Sequence, residues 1–233
     1  MLLDYGKTAD AQRLVRTLGA KLYCGDMQAA LAAVREQFTI ETLVEFLASP
    51  CRDVRKVSAM ALAIAGDSTA VRALAAALHD SDDQVAAQAE QALWSIWFRS
   101  GKGAARTALA CGCNHMAHRN FDTAIEKFSW SLALDGNFAE AHNQRAIAYF
   151  LQERYEEAIA DCRAALQRIP EHFGAMAGMG HGHAQLGRYT EARRCYADAL
   201  LIHPRLEGIQ TSLGQVEQLL ACGAPPSMGS KPR

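Results

Sequence analysis

The sequence predicts an all-α chain in which helical repeats stack into a right-handed solenoid, and two internal repetitions and the composition support this prediction. Residues 105–204 repeat at one fixed interval, and residues 40–98 repeat at another, slightly shorter interval. Hydrophobic residues make up 50% of the chain but aromatic residues only 7%, so the apolar surplus is mostly alanine. Because alanine costs least in a helix and permits close helix–helix approach, this composition favours stacked helices over a sheet.

Residues 1–38 predict two amphipathic helices. The segments 9–18 and 26–38 carry apolar residues at helical spacings of three and four. We expect a break between them around Tyr23, Cys24 and Gly25, with Asp26 as the N-cap of the second helix. The sequence leaves open whether these helices form a further, degenerate repeat.

Residues 39–99 predict two units, each with a short helix, a polar turn and a longer helix. The apolar columns that recur between the units at one interval are Leu43 with Leu74, Leu47 with Leu78, Val54 with Val85, Ala61 with Ala92, and Leu62 with Leu93. The Asp-Val-Arg run at 53–55, followed by Ala-Leu-Ala at 61–63, resembles the short HEAT repeat of phycobilisome-lyase-type proteins. We therefore predict a HEAT-like array over this segment.

The last helix of this array ends in a run that is apolar on nearly every side. A surface helix has a single apolar stripe, so a helix without a polar face is expected to be covered all round. We expect Trp94, Trp97 and Phe98 to be buried between the HEAT-like array and the repeats that follow it.

Residues 105–204 predict three helix–turn–helix units. The columns that recur at the fixed interval hold Gly112, Ala146 and Gly180; Phe121, Tyr155 and Tyr189; Ala124, Ala158 and Ala192; Phe128, Cys162 and Tyr196; and Leu132, Leu166 and Leu200. In unit length and in residue type, this signature resembles the tetratricopeptide repeat (TPR), a helix–turn–helix unit of about 34 residues. We expect residues 205–222 to form a helix that caps the stack, and residues 223–233 to be a disordered tail.

The TPR resemblance implies a concave groove lined by the first helix of each pair. It is apolar at one end and small and polar at the other, which suits an amphipathic helix or an apolar peptide segment. An alternative is that the chain's own N-terminal or capping helices fill part of the groove. The predicted partner-binding residues are Leu109, Cys113, Met116, Asn143, Ile147, Phe150, Ala177, His181 and Gln185.

One groove chemistry that the family uses is a clamp of Lys, Asn and Arg for the acidic C-termini of heat-shock chaperones. The matching positions in this sequence carry Leu109, Cys113, Gln144, Ala177 and His181. Since this set lacks lysine and arginine, acidic chaperone tails are not expected as partners.

Metal, cofactor and catalytic sites are not predicted. Cys111, His115 and His118 share one helix face while Cys113 points elsewhere, so the four side chains do not converge on one ion. The chain has no nucleophile elbow, no phosphate-binding glycine loop and no His-Glu-x-x-His zinc motif. The sequence therefore favours a protein that is not an enzyme and that needs no cofactor.

Charge and cysteine usage narrow the function classes further. With 24 basic and 25 acidic residues, the chain has no basic excess, which opposes nucleic-acid binding. The N-terminus has no signal-peptide pattern and no stretch resembles a membrane span, so no membrane partner is predicted. The odd count of seven cysteines suits a reducing compartment, and we expect a cytoplasmic protein.

Two functions agree with these observations. The first is a non-catalytic scaffold or adaptor that binds a protein partner in the TPR groove. The alternative, which follows from the lyase-type HEAT resemblance, is an accessory or chaperone-like subunit of an enzyme that handles a small ligand. A third option, RNA binding by helical repeats, is opposed by the neutral charge balance.

Overall fold

The computed structural model describes residues 3–223, and the side chains from residue 9 onward. The described residues contain helices and turns without a strand, which confirms the all-α helical-repeat class. The predicted tail lies outside the described residues from position 224 onward. The chain divides into two compact units, Met1–Ser100 and Gly101–Arg233, which are described separately.

The first unit begins with a long helical segment and continues with helices that alternate in length. Its elements are α1 (Leu3–Leu14), a π-helical turn (Val15–Gly19), α2 (Ala20–Tyr23), α3 (Met27–Gln37), α4 (Ile40–Phe46), α5 (Arg52–Ala65), a 3₁₀ turn (Ser68–Ala70), α6 (Val71–Ala77) and α7 (Asp83–Arg99).

The expected break after the first helical segment is present. Gly25 adopts a positive φ of 75°, and the Asp26 carboxylate accepts a hydrogen bond of 3.0 Å from the Ala29 backbone N–H. The predicted N-cap is therefore confirmed, because an Asp oxygen satisfies one of the N–H groups that the first helical turn leaves unpaired.

The core of this unit lies between α5 and α7, which pack against each other. The leucines that recur between the two HEAT-like units are buried there, and Leu62 and Leu93 are fully covered. Arg55 links the polar turns of the two units, because its Nε and Nη2 bind the two Asp80 oxygens at 2.6 and 2.9 Å. A bidentate arginine–carboxylate pair fixes geometry as well as charge.

The expectation that α7 is buried on every side is wrong. Trp97 is fully buried and Trp94 is half-buried, but Phe98 is 39% exposed. Phe98 lies on the helix face that also carries the exposed Ala87 and Gln91, which precede it by eleven and seven residues. The helix therefore has an exposed face of its own, and large apolar residues extend onto it.

The second unit is a series of helical hairpins. Its helices are α8 (Gly103–Ala117), α9 (Phe121–Leu134), α10 (Ala139–Leu151), α11 (Tyr155–Arg168), α12 (Phe173–Gln185), α13 (Tyr189–Ile202) and α14 (Glu207–Ala221). Consecutive helices pack in pairs, and α14 packs against α13 at the end of the series.

A small residue on the first helix faces a larger one on the second helix of each hairpin. In the first and third hairpins the pairs are Gly112 with Phe128 and Gly180 with Tyr196. A Cβ added to either glycine would lie 2.4 or 2.6 Å from the facing ring. Glycine is therefore required there for close helix approach.

The turns inside the hairpins share one backbone conformation. Arg119, Glu153 and Gly187 occupy the same position in successive repeats, and their φ angles are 60°, 62° and 71°. A left-handed residue ends a helix readily when it is glycine and at a cost when it carries a Cβ. The first and middle hairpins have a residue with a Cβ at this position, so their turns are strained.

Candidate functional site

An apolar surface lies on the first helices of the TPR hairpins. Helix α10 packs against α8 on one side and α12 on the other, so these helices share a face. On α10, Ile147 is 39% exposed and Leu151 is 49% exposed, one helical turn apart, and Phe150 beside them is half-buried. We call Ile147, Phe150 and Leu151 the groove patch.

Aromatic rings extend from the groove patch toward the third hairpin. The Phe150 ring lies 5.4 Å from Tyr155 and 6.2 Å from His181, and the His181 ring lies 5.2 Å from Tyr196. His181 Nδ1 and the Tyr196 hydroxyl share a hydrogen bond of 2.8 Å. We call these four residues the aromatic wall.

Burial shifts the pKa values of His181 and Tyr196 in this wall. Burial lowers the pKa of His181, and it raises the pKa of Tyr196 to about 12. Both shifts favour the uncharged form, because a charged group loses solvation when it is buried. The wall is therefore neutral at neutral pH, and a charged partner group would find no counter-charge in it.

The other predicted groove residues lie at different depths. Leu109 and Asn143 are buried at 2% and 3% exposure, and Ala177 is buried at 9%, so these three offer little surface to a ligand. Cys113 and Met116 are half-buried and pack against the core of the first hairpin, and Gln185 is exposed. Of the nine predicted residues, the structure brings Phe150 and His181 into contact across two helices.

Sequence reasoning missed Leu151 at this surface and the two rings that support it. Tyr155 and the buried Tyr196 belong to columns that the sequence analysis uses only as the signature of the repeat. Leu151 follows Ile147 at a spacing of four, so the helical periodicity of exposed apolar positions could have found it.

A buried polar cluster supports the start of α10. The Glu140 carboxylate is fully buried and accepts hydrogen bonds from His172 Nε2 at 3.0 Å, Gln144 at 2.7 Å and Asn143 at 3.3 Å. His172 also caps α12, since its Nδ1 accepts from the Ala175 backbone N–H at 3.2 Å. This second bond leaves the proton on Nε2, where it is donated to Glu140.

The cysteines and histidines of α8 form no obvious ligand set. Burial, together with the negative charge of Glu140, raises the pKa of Cys113 to about 11, so its thiol stays protonated at neutral pH. Cys111 is exposed, and His118 Nδ1 lies 2.8 Å from the Asn114 carbonyl oxygen. Among the side chains that the structure describes, residues 9–223, no three His, Cys, Asp or Glu are grouped as a metal site would require.

A second polar cluster lies between α10 and α11. Asp161 accepts hydrogen bonds from Arg145 Nε at 2.6 Å and from His142 Nδ1 at 2.9 Å, and Arg145 Nη1 donates to Ser129. Burial acts to raise the pKa of Asp161, but the hydrogen bonds from Arg145 and His142 outweigh it, so the pKa lies below its ordinary value.

Three arginines of the second and third hairpins bind acidic residues of the same chain. Arg145 binds Asp161, while Arg154 binds Glu157 and Arg188 binds Glu156. The positions that match a carboxylate clamp carry no lysine or arginine. The clamp positions themselves therefore offer no lysine or arginine to an acidic ligand.

The family comparisons agree with these features. A family model described as HEAT repeats matches residues 25–94, and two models described as tetratricopeptide repeats match residues 109–172 and 149–213. The HEAT match begins before α3, so it includes part of the segment that the sequence left unassigned. Along the described residues, no helix is both long and apolar enough to cross a membrane.

Relatives and solved structures match the second half of the chain most clearly. Human tetratricopeptide repeat protein 12 is 33% identical to this chain, and the match covers 46% of this chain and 15% of that protein. A TPR repeat-containing protein of Rhizobium etli is 23% identical to this chain, and the match covers 54% of this chain and 61% of that protein.

The first TPR of Spaghetti (RPAP3), solved with the HSP90 peptide SRMEEVD, superimposes with a TM-score of 0.50. It is 23% identical to this chain, and the match covers 51% of this chain and 94% of that structure. At this identity the likeness concerns the fold. The chain therefore belongs to the helical-repeat proteins, with HEAT repeats in residues 25–94 and tetratricopeptide repeats in residues 109–213.

Proposed function

We propose that this chain is a non-catalytic protein-interaction scaffold, and that the groove patch binds an amphipathic helix or an apolar peptide segment of a partner. The observation that carries the proposal is the exposure of Ile147 and Leu151 beside Phe150. These residues lie on α10, which packs between α8 and α12. Apolar residues exposed next to one another on a helical-repeat surface are typical of helix-in-groove recognition.

A few apolar residues of the groove patch are expected to supply most of the binding free energy. Burial of apolar surface stabilises by about 25 cal/mol per Å², and a few central residues usually dominate an interface. Phe150 is the largest side chain of the groove patch, and its neighbours Tyr155 and His181 hold its ring. The side chain is therefore positioned before a partner arrives, which lowers the entropy lost on binding.

The experiment is a selection of amphipathic helical peptides against the full chain, followed by the variant Phe150→Ala. We expect the selected peptides to lose at least roughly twentyfold in affinity, since truncation of an anchor costs about 2 kcal/mol. Leu201→Ala is the matched control, because Leu201 is 71% exposed on α13 outside the groove patch. It should leave both affinity and stability unchanged.

The melting temperature of Leu151→Ala separates binding from self-occupancy, because Leu151 is 49% exposed, whereas Phe150 also packs against the core of the hairpin. If helices of the same chain fill the groove, Leu151→Ala lowers the melting temperature of the free protein. Unchanged peptide affinity together with unchanged stability would contradict the proposal.

Acidic chaperone tails are not among the proposed partners. The Spaghetti domain was solved with the acidic peptide SRMEEVD, but the matching groove positions here carry Leu109, Cys113 and Ala177 instead of cations. We expect this peptide to bind with a Kd above about 1 mM, which corresponds to less than about 4 kcal/mol of binding free energy. Tight binding of this peptide that added salt weakens would contradict this expectation.

A second candidate function rests on a cavity in the first unit. A cavity of about 570 Å³ lies between the π-helical turn and the turn before α5, with Val15, Phe46 and Val54 among its apolar lining. Its size falls in the range of small-molecule sites. The cavity therefore supports the second candidate function, an accessory subunit that handles a small ligand. Mass spectrometry of small molecules released by denaturing the purified chain tests it. An empty cavity in protein from several hosts would oppose it.

A further inference from the structure

Two amide side chains lie one helical turn before the groove patch on α10. Asn143 precedes Ile147 by four residues and Gln144 precedes it by three, and residues at these spacings are neighbours on one helix face. Asn143 is buried and Gln144 is half-buried. We call these two residues the amide pair. They give the apolar stripe of Ile147 and Leu151 a polar end.

The Glu140 carboxylate determines how both amides are oriented. Asn143 Nδ2 and Gln144 Nε2 lie 3.3 and 2.7 Å from the same atom, Oε1 of Glu140. A carboxylate oxygen accepts hydrogen bonds, so each amide directs its NH₂ group toward Glu140. The carbonyl oxygens of the two amides therefore point away from the carboxylate.

The negative charge of Glu140 has no cation beside it. His172 Nδ1 accepts from the Ala175 backbone N–H, so the imidazole is neutral and donates through Nε2 to the second carboxylate oxygen. Three N–H donors thus stabilise the charged form of the carboxylate. Within the described part of the chain, no lysine or arginine pairs with it. Its charge reaches the groove, since it adds to the burial that raises the pKa of Cys113 to about 11.

The carbonyl oxygens of the amide pair are acceptors without a partner in the described chain. Asn143 Oδ1 and Gln144 Oε1 make no hydrogen bond to a described residue. Neither atom is among the polar atoms that are sealed from solvent without a partner, so both remain accessible. An amide that donates to a carboxylate is polarised, which makes its oxygen a stronger acceptor. The surface beside the groove patch therefore offers acceptors with a negative charge behind them.

We propose that the amide pair binds the cationic group of a lysine or arginine of the partner, next to the apolar face that packs on the groove patch. This inference rests on the proposed function of the groove patch. An ammonium group has three N–H donors and a guanidinium group five, and neither has an acceptor, so one cation can satisfy both oxygens. The backbone N–H groups of a partner helix are already paired, so the donor must be a side chain.

The probe is a peptide selected against the full chain, with single positions varied. Each position three or four residues from the residue that contacts the groove patch carries lysine, arginine, norleucine or glutamate in turn. At one of them a basic residue should bind at least roughly tenfold more tightly than norleucine, the effect of a hydrogen bond to a charged group. Glutamate should bind least tightly. Equal affinities of the basic and norleucine peptides at every position would overturn the inference.

Matched variants of the chain locate the effect. Gln144→Met keeps the side-chain length and removes one acceptor, so it should reduce the preference for a basic residue at least roughly threefold. Asn143→Ala should act in the same direction, and Ala177 already occupies the equivalent position of the third hairpin. Gln167→Met is the control, because Gln167 is exposed on α11 outside the groove patch. A preference that survives both groove variants would overturn the assignment to the amide pair.

A titration with small molecules tests the amide pair without a peptide. The probes are 2-phenylethylammonium and 2-phenylethanol, which share a ring and differ in charge. Both are added to the ¹⁵N-labelled chain at neutral pH, and the side-chain NH₂ signals of Asn143 and Gln144 are followed. The ammonium ion should shift these signals more than the alcohol does. Equal shifts, or no shift with the ammonium ion, would overturn the inference.

The outcomes separate this inference from the proposed function. Selected peptides that depend on Phe150 but bind equally with lysine and norleucine would support the groove patch and overturn the cation site. If no peptide is selected, the proposed function fails, and the ammonium titration alone decides whether the amide pair binds a cation.

Discussion

The middle TPR hairpin and its two neighbours reach the same geometry by different means. The outer hairpins pair a glycine with an aromatic ring, Gly112 with Phe128 and Gly180 with Tyr196. The middle hairpin pairs Ala146 with Cys162. Alanine replaces the glycine of the outer hairpins, and cysteine replaces their aromatic ring. The methyl group of alanine compensates only in part for the missing ring, so the middle hairpin has the smaller apolar contact at this position.

The middle hairpin adds polar contacts that bind it to its surroundings. Asp161 ties α11 to α10 through Arg145 and His142, and Glu140 on α10 reaches His172 at the start of α12. The outer hairpins should therefore be sensitive to added volume, and the middle one to the loss of a polar partner. The predictions below test this contrast, from the largest expected effect to the smallest.

Loss of His172 should be the most damaging of these changes. Both His172 and Glu140 are fully buried, so His172→Ala leaves a buried carboxylate short of a donor and removes a helix cap. The free energy of unfolding should fall by about 3–5 kcal/mol, measured by urea denaturation. The pair His172→Phe with Glu140→Leu should recover most of that loss, because Phe138 and Leu206 occupy the same repeat position as His172. A single variant as stable as wild type would contradict the prediction.

Added volume in an outer hairpin should come next. In Gly180→Ala the new methyl group meets the Tyr196 ring at 2.6 Å, so unfolding should become easier by about 1–3 kcal/mol. Gly214→Ala is the matched control inside α14, where a Cβ meets nothing within 4 Å, and it should stabilise the chain by about 0.5–1 kcal/mol. Equal effects of the two substitutions would remove the role assigned to the glycine–aromatic contact.

Acid should weaken the middle hairpin through Asp161. Its pKa in the folded chain lies below the ordinary value of about 3.9, so its contribution to stability is complete above that value. That contribution is lost as pH falls from about 4 through the folded-state pKa. Urea denaturation between neutral pH and pH 3 should therefore show a shallower acid loss for Asp161→Asn than for wild type. Parallel curves would mean that Asp161 is not the group responsible.

The smallest effect is expected in the hairpin turns. Glu153 holds a φ of 62°, so Glu153→Gly should relieve strain and stabilise the chain by about 0.5–1 kcal/mol. Gly187→Ala places a Cβ at the equivalent φ of 71° and should destabilise it by about 1 kcal/mol. Differential scanning calorimetry on both variants checks the pair, and changes of the same sign would contradict it.

Repeat spacing explains why the fold could be predicted and the depth of individual residues could not. The columns of the TPR segment define which side chains occupy equivalent positions, and Gly112, Phe128 and Tyr196 pack as equivalent core positions do. The columns do not reveal how far a neighbouring hairpin covers a position. For this reason Leu109 and Asn143 were expected to face a ligand but are buried, and Phe98 was expected to be covered but is exposed.

The polar clusters could not be predicted from the sequence for a related reason. Glu140 and His172 lie far apart in the chain and meet because two hairpins stack, which no local pattern records. One signal was available, since a histidine at 172 interrupts a column that holds Phe138 and Leu206. A polar residue in an apolar column of a repeat indicates that a buried partner is needed.

The Glu140–His172 contact also determines the order in which the hairpins can be joined. Its two residues belong to successive hairpins, so a copy of the middle hairpin placed before any other would bring Glu140 against a phenylalanine or leucine. Duplication of this hairpin, or insertion of another hairpin after it, would leave the carboxylate in an apolar interface. The middle and third hairpins must therefore stay adjacent, and a longer array can gain new hairpins at any junction except the one between them.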